Sequence, residues 1–462
     1  MKIIQGIQWV LRQVYTIVNI NYMALSREME FHADEVAANV AGSKPLARSL
    51  LRMGLADNAY NSILDFYSEK INEAKIAANI YPQHRFVMDY LASRHQVPYQ
   101  NNLPAISIQF LNRFNKSKLN IKDQWASHPN VEDRIAQLDR LNIETPQLND
   151  EPANTLFDHL ARWQQQLTQK LFSTVKYEQP TSVIEAPEFI PLYEKRFGEN
   201  NFGKRFNYYY DYKNPARIEL SFLDKASSSV ISFEELYSND KADMVVTVIA
   251  LEQDIATLRQ IENRELKVKT FDYDGTRYQW RDAGLLIPRL EKEKEQLNSS
   301  IKINDENICR YFFALAEEQD KKDIFNEKYS LFVKADADYD DYAVVYEKIV
   351  PQTEFISQTT PFEIIERKLR ELQETEQDFK EKVSTLLYQA PSEVSTPDFQ
   401  QIFEKYLAEN WVYFANSKYN NDALEVLFAA IRAYPALISK NYFFRKKDLL
   451  NLFEELEQQR KH

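Results

Sequence analysis

The sequence predicts a mainly α protein with one small β insert. Three observations carry that expectation. Only 7 of the 462 residues are Gly, against a usual share of about 7%, and so few glycines favour helices joined by short connections. Apolar residues recur at three- and four-residue spacing from the start of the chain to about residue 145, and charged helical patterns dominate after about 286. One stretch, 265–281, alternates instead. Leu266-Lys-Val-Lys-Thr-Phe and Thr276-Arg-Tyr-Gln-Trp flank Asp274-Gly275, a strong hairpin-turn signal.

Taken in order, residues 1–25 place Ile3, Ile7, Val10, Val14, Ile17 and Val18 at helical spacing. That pattern predicts a one-faced helix buried on a partner or lying on a membrane surface. Gln5, Gln8, Arg12 and Gln13 interrupt its apolar character, and no small-x-small cleavage pattern follows. No run of about 18 apolar residues occurs, so neither a signal peptide nor a transmembrane helix is expected. The expected setting is membrane-associated or cytoplasmic. Gly42 and Gly54 are placed as helix caps. Residues 56–78 read as a helix, 98–104 as a loop, 105–117 as a short helix and 142–152 as a linker. A helix over 153–175 precedes an aromatic region, 178–217, with Tyr208, Tyr209, Tyr210 and Tyr212. Packing of a small mixed layer is expected of them, ahead of a carbohydrate or peptide platform.

Residues 244–256 start β-like and become helix-like. Helices are predicted at 286–300, 305–320, 361–389 and 398–413. In 422–434, Leu424, Leu427, Phe428, Ile431 and Tyr434 share a face, and Asp422 with Glu425 fits a capping box. No clean 34-residue self-similarity supports a solenoid. Three regions follow: 1–145, 146–300 (mixed, with the hairpin) and 301–462 (helical).

Composition excludes several functions. The net charge is −12 and no long basic run exists, so nucleic acid is not an expected partner. Neither GxGxxG nor GxxxxGK[ST] occurs, which argues against common nucleotide sites. Cys309 is the single cysteine, excluding an intrachain disulfide and any cysteine zinc cluster; it sits in an apolar helical face and reads as core. No G-x-S-x-G elbow is present. Oligomeric state has no evident signature.

Two short runs carry the chemistry. In Ser26-Arg27-Glu28-Met29-Glu30-Phe31-His32-Ala33-Asp34, Glu30 and Asp34 lie one helical turn apart on one face. In such a pair the first carboxylate can ligate zinc and the second can orient another ligand, although the spacing alone is common on solvated helices. About a hundred residues later comes Ser127-His128-Pro129-Asn130-Val131-Glu132-Asp133-Arg134-Ile135-Ala136-Gln137-Leu138. Pro129 suits a first helical turn, His128 stands at its mouth, and Arg134 can reach a carboxylate elsewhere. Alone, the first run is more readily a solvated helix face and the second a simple helix start with a surface His.

Together, and in this order, the runs resemble the HtpX and CAAX prenyl endopeptidase family of zinc metallopeptidases. That family has a third-ligand helix of the form S-R-x-x-E-[FY]-x-A-D and a later [ST]-H-P-x-x-x-x-R-[IL]-x-x-L segment. The resemblance covers about residues 20–140. It implies the carboxy-terminal half of a zincin-type domain, with a helical extension after it. It further implies Glu30 as the third zinc ligand, Asp34 as hydrogen-bond partner of a His ligand, His128 near the substrate oxyanion and Arg134 as support. A protein or peptide substrate and hydrolysis by zinc-activated water are implied for the intact protein.

The family's HExxH is absent. The six histidines are His32, His84, His95, His128, His159 and His462, and no two are four apart. The expectation is therefore an amino-terminally truncated, inactive portion of a metalloendopeptidase. The alternative is a non-catalytic helical scaffold derived from one. His32 would face roughly 200° away from Glu30 and is not expected to ligate. Asp336, Asp338 and Asp340 with Glu347 imitate a calcium loop, but Asp341 takes the required Gly place, so an acidic surface loop is expected.

Overall fold

The computed structural model describes residues 2–111, 113, 115–121, 126–144, 151–220 and 231–460. Part of the expected 105–117 helix, most of the expected 142–152 linker, and His462 lie outside them. So do the side chains of Ile3, Ile7 and Val10.

The chain is mainly helical. In order, the helices are α1 (Lys2–Ala41), α2 (Ser43–Ser68), α3 (Ile80–Arg94), α4 (Ile108–Leu111), α5 (Val131–Leu141), α6 (Leu160–Phe172), α7 (Ala186–Glu199), α8 (Phe233–Leu236) and α9 (Asn239–Glu262). They continue with α10 (Ala283–Glu318), α11 (Lys322–Thr353), α12 (Phe362–Gln389), α13 (Pro397–Leu407) and α14 (Asn421–Gln459). Short strands lie between them: β1 (Lys75–Ala77), β2 (Tyr99–Gln100), β3 (Leu103–Pro104), β4 (Leu119–Asn120), β5 (Ser182–Ile184), β6 (Thr270–Tyr273), β7 (Thr276–Gln279), β8 (Phe414–Ala415) and β9 (Lys418–Tyr419).

The residues form two compact units. The first comprises Met1–Lys204 and Ala242–Ser299. Its core gathers Leu51, Ile63 and Phe66 of α2, Val87 of α3, Ile135 and Leu138 of α5, and Phe189 and Tyr193 of α7. Phe66 meets Phe189 edge-on at 4.9 Å between centroids, a favoured aromatic geometry. β1 and β5 pair in parallel. The expected hairpin forms as β6–β7, with Tyr273 opposite Thr276. Asp274 and Gly275 take positive φ, 50° and 76°, as a two-residue turn matched to strand twist demands. β4 adds a third, antiparallel strand, and Phe271 packs with Leu258 of α9 and Leu290 of α10.

The second unit comprises Arg205–Lys241 and Ser300–His462. Leu372, Phe379 and Val383 of α12, Tyr406 of α13, and Leu427 and Tyr434 of α14 form its main cluster. Tyr209 and Tyr210 are fully buried and serve as packing, as expected. Tyr208, by contrast, is half-buried, Tyr212 is 53% exposed, and among the described residues no strand lies beside them to make a mixed layer.

Several expected boundaries move. Gly42, at φ 86°, separates α1 from α2 and donates its N–H to the Ala38 carbonyl at 2.8 Å. Gly54 caps nothing, because α2 continues through it along a buried stripe of Leu51, Leu55, Ala59 and Ile63. The expected loop 98–104 holds the β2–β3 hairpin. Residues 244–256 are helical throughout: Val245, Val246 and Val248 are buried on α9, where tertiary packing overrides their β preference. The two helices expected between 286 and 320 are one, α10. The acidic run Asp336–Asp341 lies inside α11, which removes both the calcium-loop likeness and the surface loop. Residues 408–413 are not helical. The cap of α14 is Asn420, whose side chain accepts from the Ala423 N–H at 3.3 Å, in place of Asp422. Among the described residues no helix is long and apolar enough to cross a membrane.

Candidate functional site

The two motif runs meet in the first unit. Arg27, Glu30, Asp34 and Ala38 recur every three or four residues, so they share one face of α1. α5 is held at both ends. Asn130 caps it by accepting from the Asp133 N–H at 2.6 Å, and Glu132 and Asp133 suit the positive end of the helix dipole. Beyond its carboxy-terminal end, the Ile143 carbonyl accepts from the Ser43 N–H at 2.9 Å, while the Ile143 N–H donates to Ser43 Oγ at 3.0 Å. Ile135 and Leu138 are buried in the core. These restraints leave Arg134 facing α1.

Arg134 grips Asp34 with both arms: Nε donates to Oδ2 at 2.7 Å and Nη2 to Oδ1 at 2.6 Å. This two-pronged geometry is the strongest pairing available to a carboxylate. The Arg134 Nη1 also lies 3.6 Å from Glu30 Oε2. His128 Nδ1 is in contact with Glu30 Oε1, and Arg27 donates to the Ala126 carbonyl. Burial grades across the group. The Asp34 side chain is 6% exposed, Arg134 22%, Glu30 25% and His128 74%. The hydrogen bond from Arg134 to Asp34 raises the guanidinium pKa further, against the opposing effect of burial; the charges of Asp34 and Glu30 act the same way as the hydrogen bond.

All four sequence-predicted residues, Glu30, Asp34, His128 and Arg134, are thus brought together. The other histidines are not. His32 is on the outer face, 3.9 Å from Glu35. His84 donates to the Ala56 carbonyl at 2.7 Å. His95 is held below its ordinary pKa, first by burial and then by Arg94, Arg113 and Lys204. His159 takes a left-handed backbone conformation at the start of α6.

A zinc ion does not fit these residues alone. A catalytic zinc takes three protein donors and leaves one position for water. Glu30 and His128 offer two donors, and the Arg134 cation already faces Glu30. Among the described residues, no group of three His, Cys, Asp or Glu could hold a metal ion. A groove of about 540 Å³ between α2, α3 and α6 lies in the same unit but includes none of the four residues.

Sequence reasoning missed the direct His128–Glu30 pairing and the Arg27 contact. The spacing of Arg27 ahead of Glu30 and Asp34 was the available signal. It also missed a buried polar network in the second unit. There, Lys213 Nζ binds Asp305 at 2.6 and 2.8 Å, and the Tyr209 hydroxyl donates to Asp305 at 2.8 Å. Lys446 Nζ donates to the carbonyls of Tyr210 at 2.6 Å and Lys213 at 2.8 Å. Burial pushes the Lys446 amine down to about 7. Burial also pushes Lys213 down against the pull of Asp305, and pushes Asp305 up.

Comparison with known proteins adds no relative: no family model, no curated protein and no solved structure matches the chain.

Proposed function

We propose that residues 1–462 carry the third-ligand half of a zinc metallopeptidase site and hydrolyse nothing on their own. The observation that supports this reading is the meeting of two motifs, about a hundred residues apart, through Glu30–His128 and Asp34–Arg134. Glu30 is the carboxylate donor. Arg134 fixes Asp34, whose remaining lone pairs can still accept from an incoming imidazole. His128 is solvent-facing beside the donor, where a substrate oxygen can reach it. Two histidine donors and a general base come from outside these residues, and a peptide or protein is the substrate of the assembled site. The four residues present support no hydrolytic step by themselves.

The decisive experiment reads the coding sequence upstream of Met1. An in-frame HExxH supports the reading, and its absence overturns it. Where HExxH is found, the extended chain is expected to cleave casein and to lose that activity on Glu30→Gln. Unchanged cleavage removes Glu30 from the ligand set.

One observation favours a second reading, a non-catalytic scaffold. The charges already satisfy one another: Asp34 is taken by Arg134, and Glu30 by His128 and Arg134. In that reading the cluster is a clasp between α1 and α5. Absence of HExxH upstream, with Asp34→Ala destabilising the fold, is its expected outcome.

A further inference from the structure

The face of α1 opposite the cluster carries an apolar seam that no other described residue covers. Ile4, Leu11, Tyr15, Val18, Tyr22, Leu25, Met29 and Val36 are each between 58% and 68% exposed. Their spacing from Leu11 to Met29 alternates four, three, four, three and four, and Ile4 and Val36 continue it at seven. That is a 3.5-residue repeat over more than four heptads, the pattern of a coiled-coil seam. At 100° per residue the eight positions lie roughly 160–240° around the helix from Arg27. Arg27, Asp34 and Ala38 hold α1 to its unit from the other side. The seam runs for about 48 Å of helix.

We infer that this seam pairs with the same seam of a second copy of the chain, as an antiparallel two-helix coiled coil. The period selects a helical partner: knobs fit holes only against another helix of matching repeat. The residue types select a copy and an orientation. With the two-fold axis at residue 20, Tyr15 faces Leu25 of the second copy, Tyr22 faces Val18, Met29 faces Leu11 and Val36 faces Ile4. Each tyrosine meets a smaller aliphatic residue, Met29 meets Leu11 and Val36 meets Ile4, so no layer stacks two aromatic rings. The two polar seam positions, Gln8 and His32, fall opposite each other. Flanking charges do not clash: on one side of the seam Arg12 lies nearest Ser26 of the second copy, and on the other side Glu28 lies nearest Val14. A parallel pair would instead stack Tyr on Tyr twice and His32 on His32. This inference stands apart from the metallopeptidase reading, and none of the seam residues belongs to the Glu30–Asp34–His128–Arg134 cluster.

Trp9 and Ile17 are also exposed, 64% and 61%, but lie outside the seam. They serve as controls, and they make a lipid surface the rival occupant. The test is the solution mass of the full chain at micromolar concentration, by light scattering and sedimentation equilibrium. Twice the 54.5 kDa chain mass is expected. Val18→Glu, which places two charges near the two-fold axis, is expected to give a monomer with unchanged circular dichroism, because Val18 is exposed in the single chain. Ile17→Glu is expected to remain dimeric. A monomeric parent chain, or a dimer indifferent to Val18→Glu, overturns the inference. So does a monomer that co-sediments with phosphatidylglycerol vesicles, which assigns the seam to lipid. For the orientation, chains bearing Tyr15→Cys and chains bearing Leu25→Cys are mixed and oxidised. Cross-links between 15 and 25 are expected, and 15-to-15 links overturn the antiparallel register.

Discussion

Each unit contains a buried acid–cation pair, and the two pairs do different things. Asp34–Arg134 in the first unit and Asp305–Lys213 in the second have similar shortest distances, 2.6 Å each. Their surroundings differ. Beside Asp34–Arg134 stand Glu30 and His128, increasingly open to water. Around Asp305–Lys213 stand the Tyr209 hydroxyl and the Lys446 ammonium, which is itself satisfied by two carbonyls. The pKa directions register the contrast. Arg134 is raised, because the hydrogen bond outweighs burial. Lys213 is lowered, because burial outweighs the bond. A pair at the edge of a graded cluster can position other groups; a pair closed in on every side can only hold the fold together. The partners around a buried charge, more than the charge itself, separate a candidate site from a structural network.

The largest expected effect falls on the closed network. Asp305→Ala strands the Lys213 charge in the interior, and such uncompensated charges cost about 3–5 kcal/mol. Urea denaturation of the full chain reads this directly, and a loss below about 1 kcal/mol would show that water reaches Lys213 and that the two regions are alike. Asp34→Ala comes next, at about 2–3 kcal/mol. Its cost is smaller because Arg134, at 22% exposure, retains access to water and has Glu30 at 3.6 Å.

Lys446 adds a pH test. Its folded pKa of about 7 lies below the ordinary 10.5, so between those values the unfolded chain holds a proton that the folded chain does not. Stability then rises with pH across that window. Lys213 is shifted the same way and adds to the trend, and Asp211 and Asp336 are the acids that act on Lys446. The urea midpoint is expected to climb from pH 7 to pH 9.5. Lys446→Met should flatten that climb while costing about 2 kcal/mol overall, because the Tyr210 and Lys213 carbonyls lose their donor. An undiminished slope in the variant assigns the pH dependence elsewhere.

The sequence made one region far more legible than the other, for physical reasons. The β6–β7 turn was readable because Asp274-Gly275 must take positive φ, and only a few residue pairs do so cheaply. Part of the cluster was readable: helical spacing alone puts Glu30 and Asp34 on one face, whereas His128, which precedes α5, and Arg134 were tied to them only by the resemblance of the two runs to a known family. What joins the runs is tertiary: that His128 touches Glu30 follows from how α5 is anchored to Ser43, which no spacing encodes. The second network had no signature, since Tyr209, Lys213, Asp305 and Lys446 have no periodic relation. α9 defeated local propensity, because burial decides for valines. The α1 seam was hidden because its repeat runs through Tyr15, Tyr22 and Met29, whereas the aliphatic residues alone trace a different face.

The smallest effect is the sharpest discriminator for the first unit. His128 is 74% exposed, so its contact with Glu30 is screened by water and worth under about 1 kcal/mol to the fold. His128→Ala is therefore expected to leave the urea midpoint nearly unchanged while Asp34→Ala moves it substantially. That split is what a graded cluster requires: the inner pair bears on stability, and the outer pair is free for another task. Should His128→Ala cost as much as Asp34→Ala, the outer pair would be structural too. The cluster would then be a clasp from end to end, with no member left over for binding or catalysis.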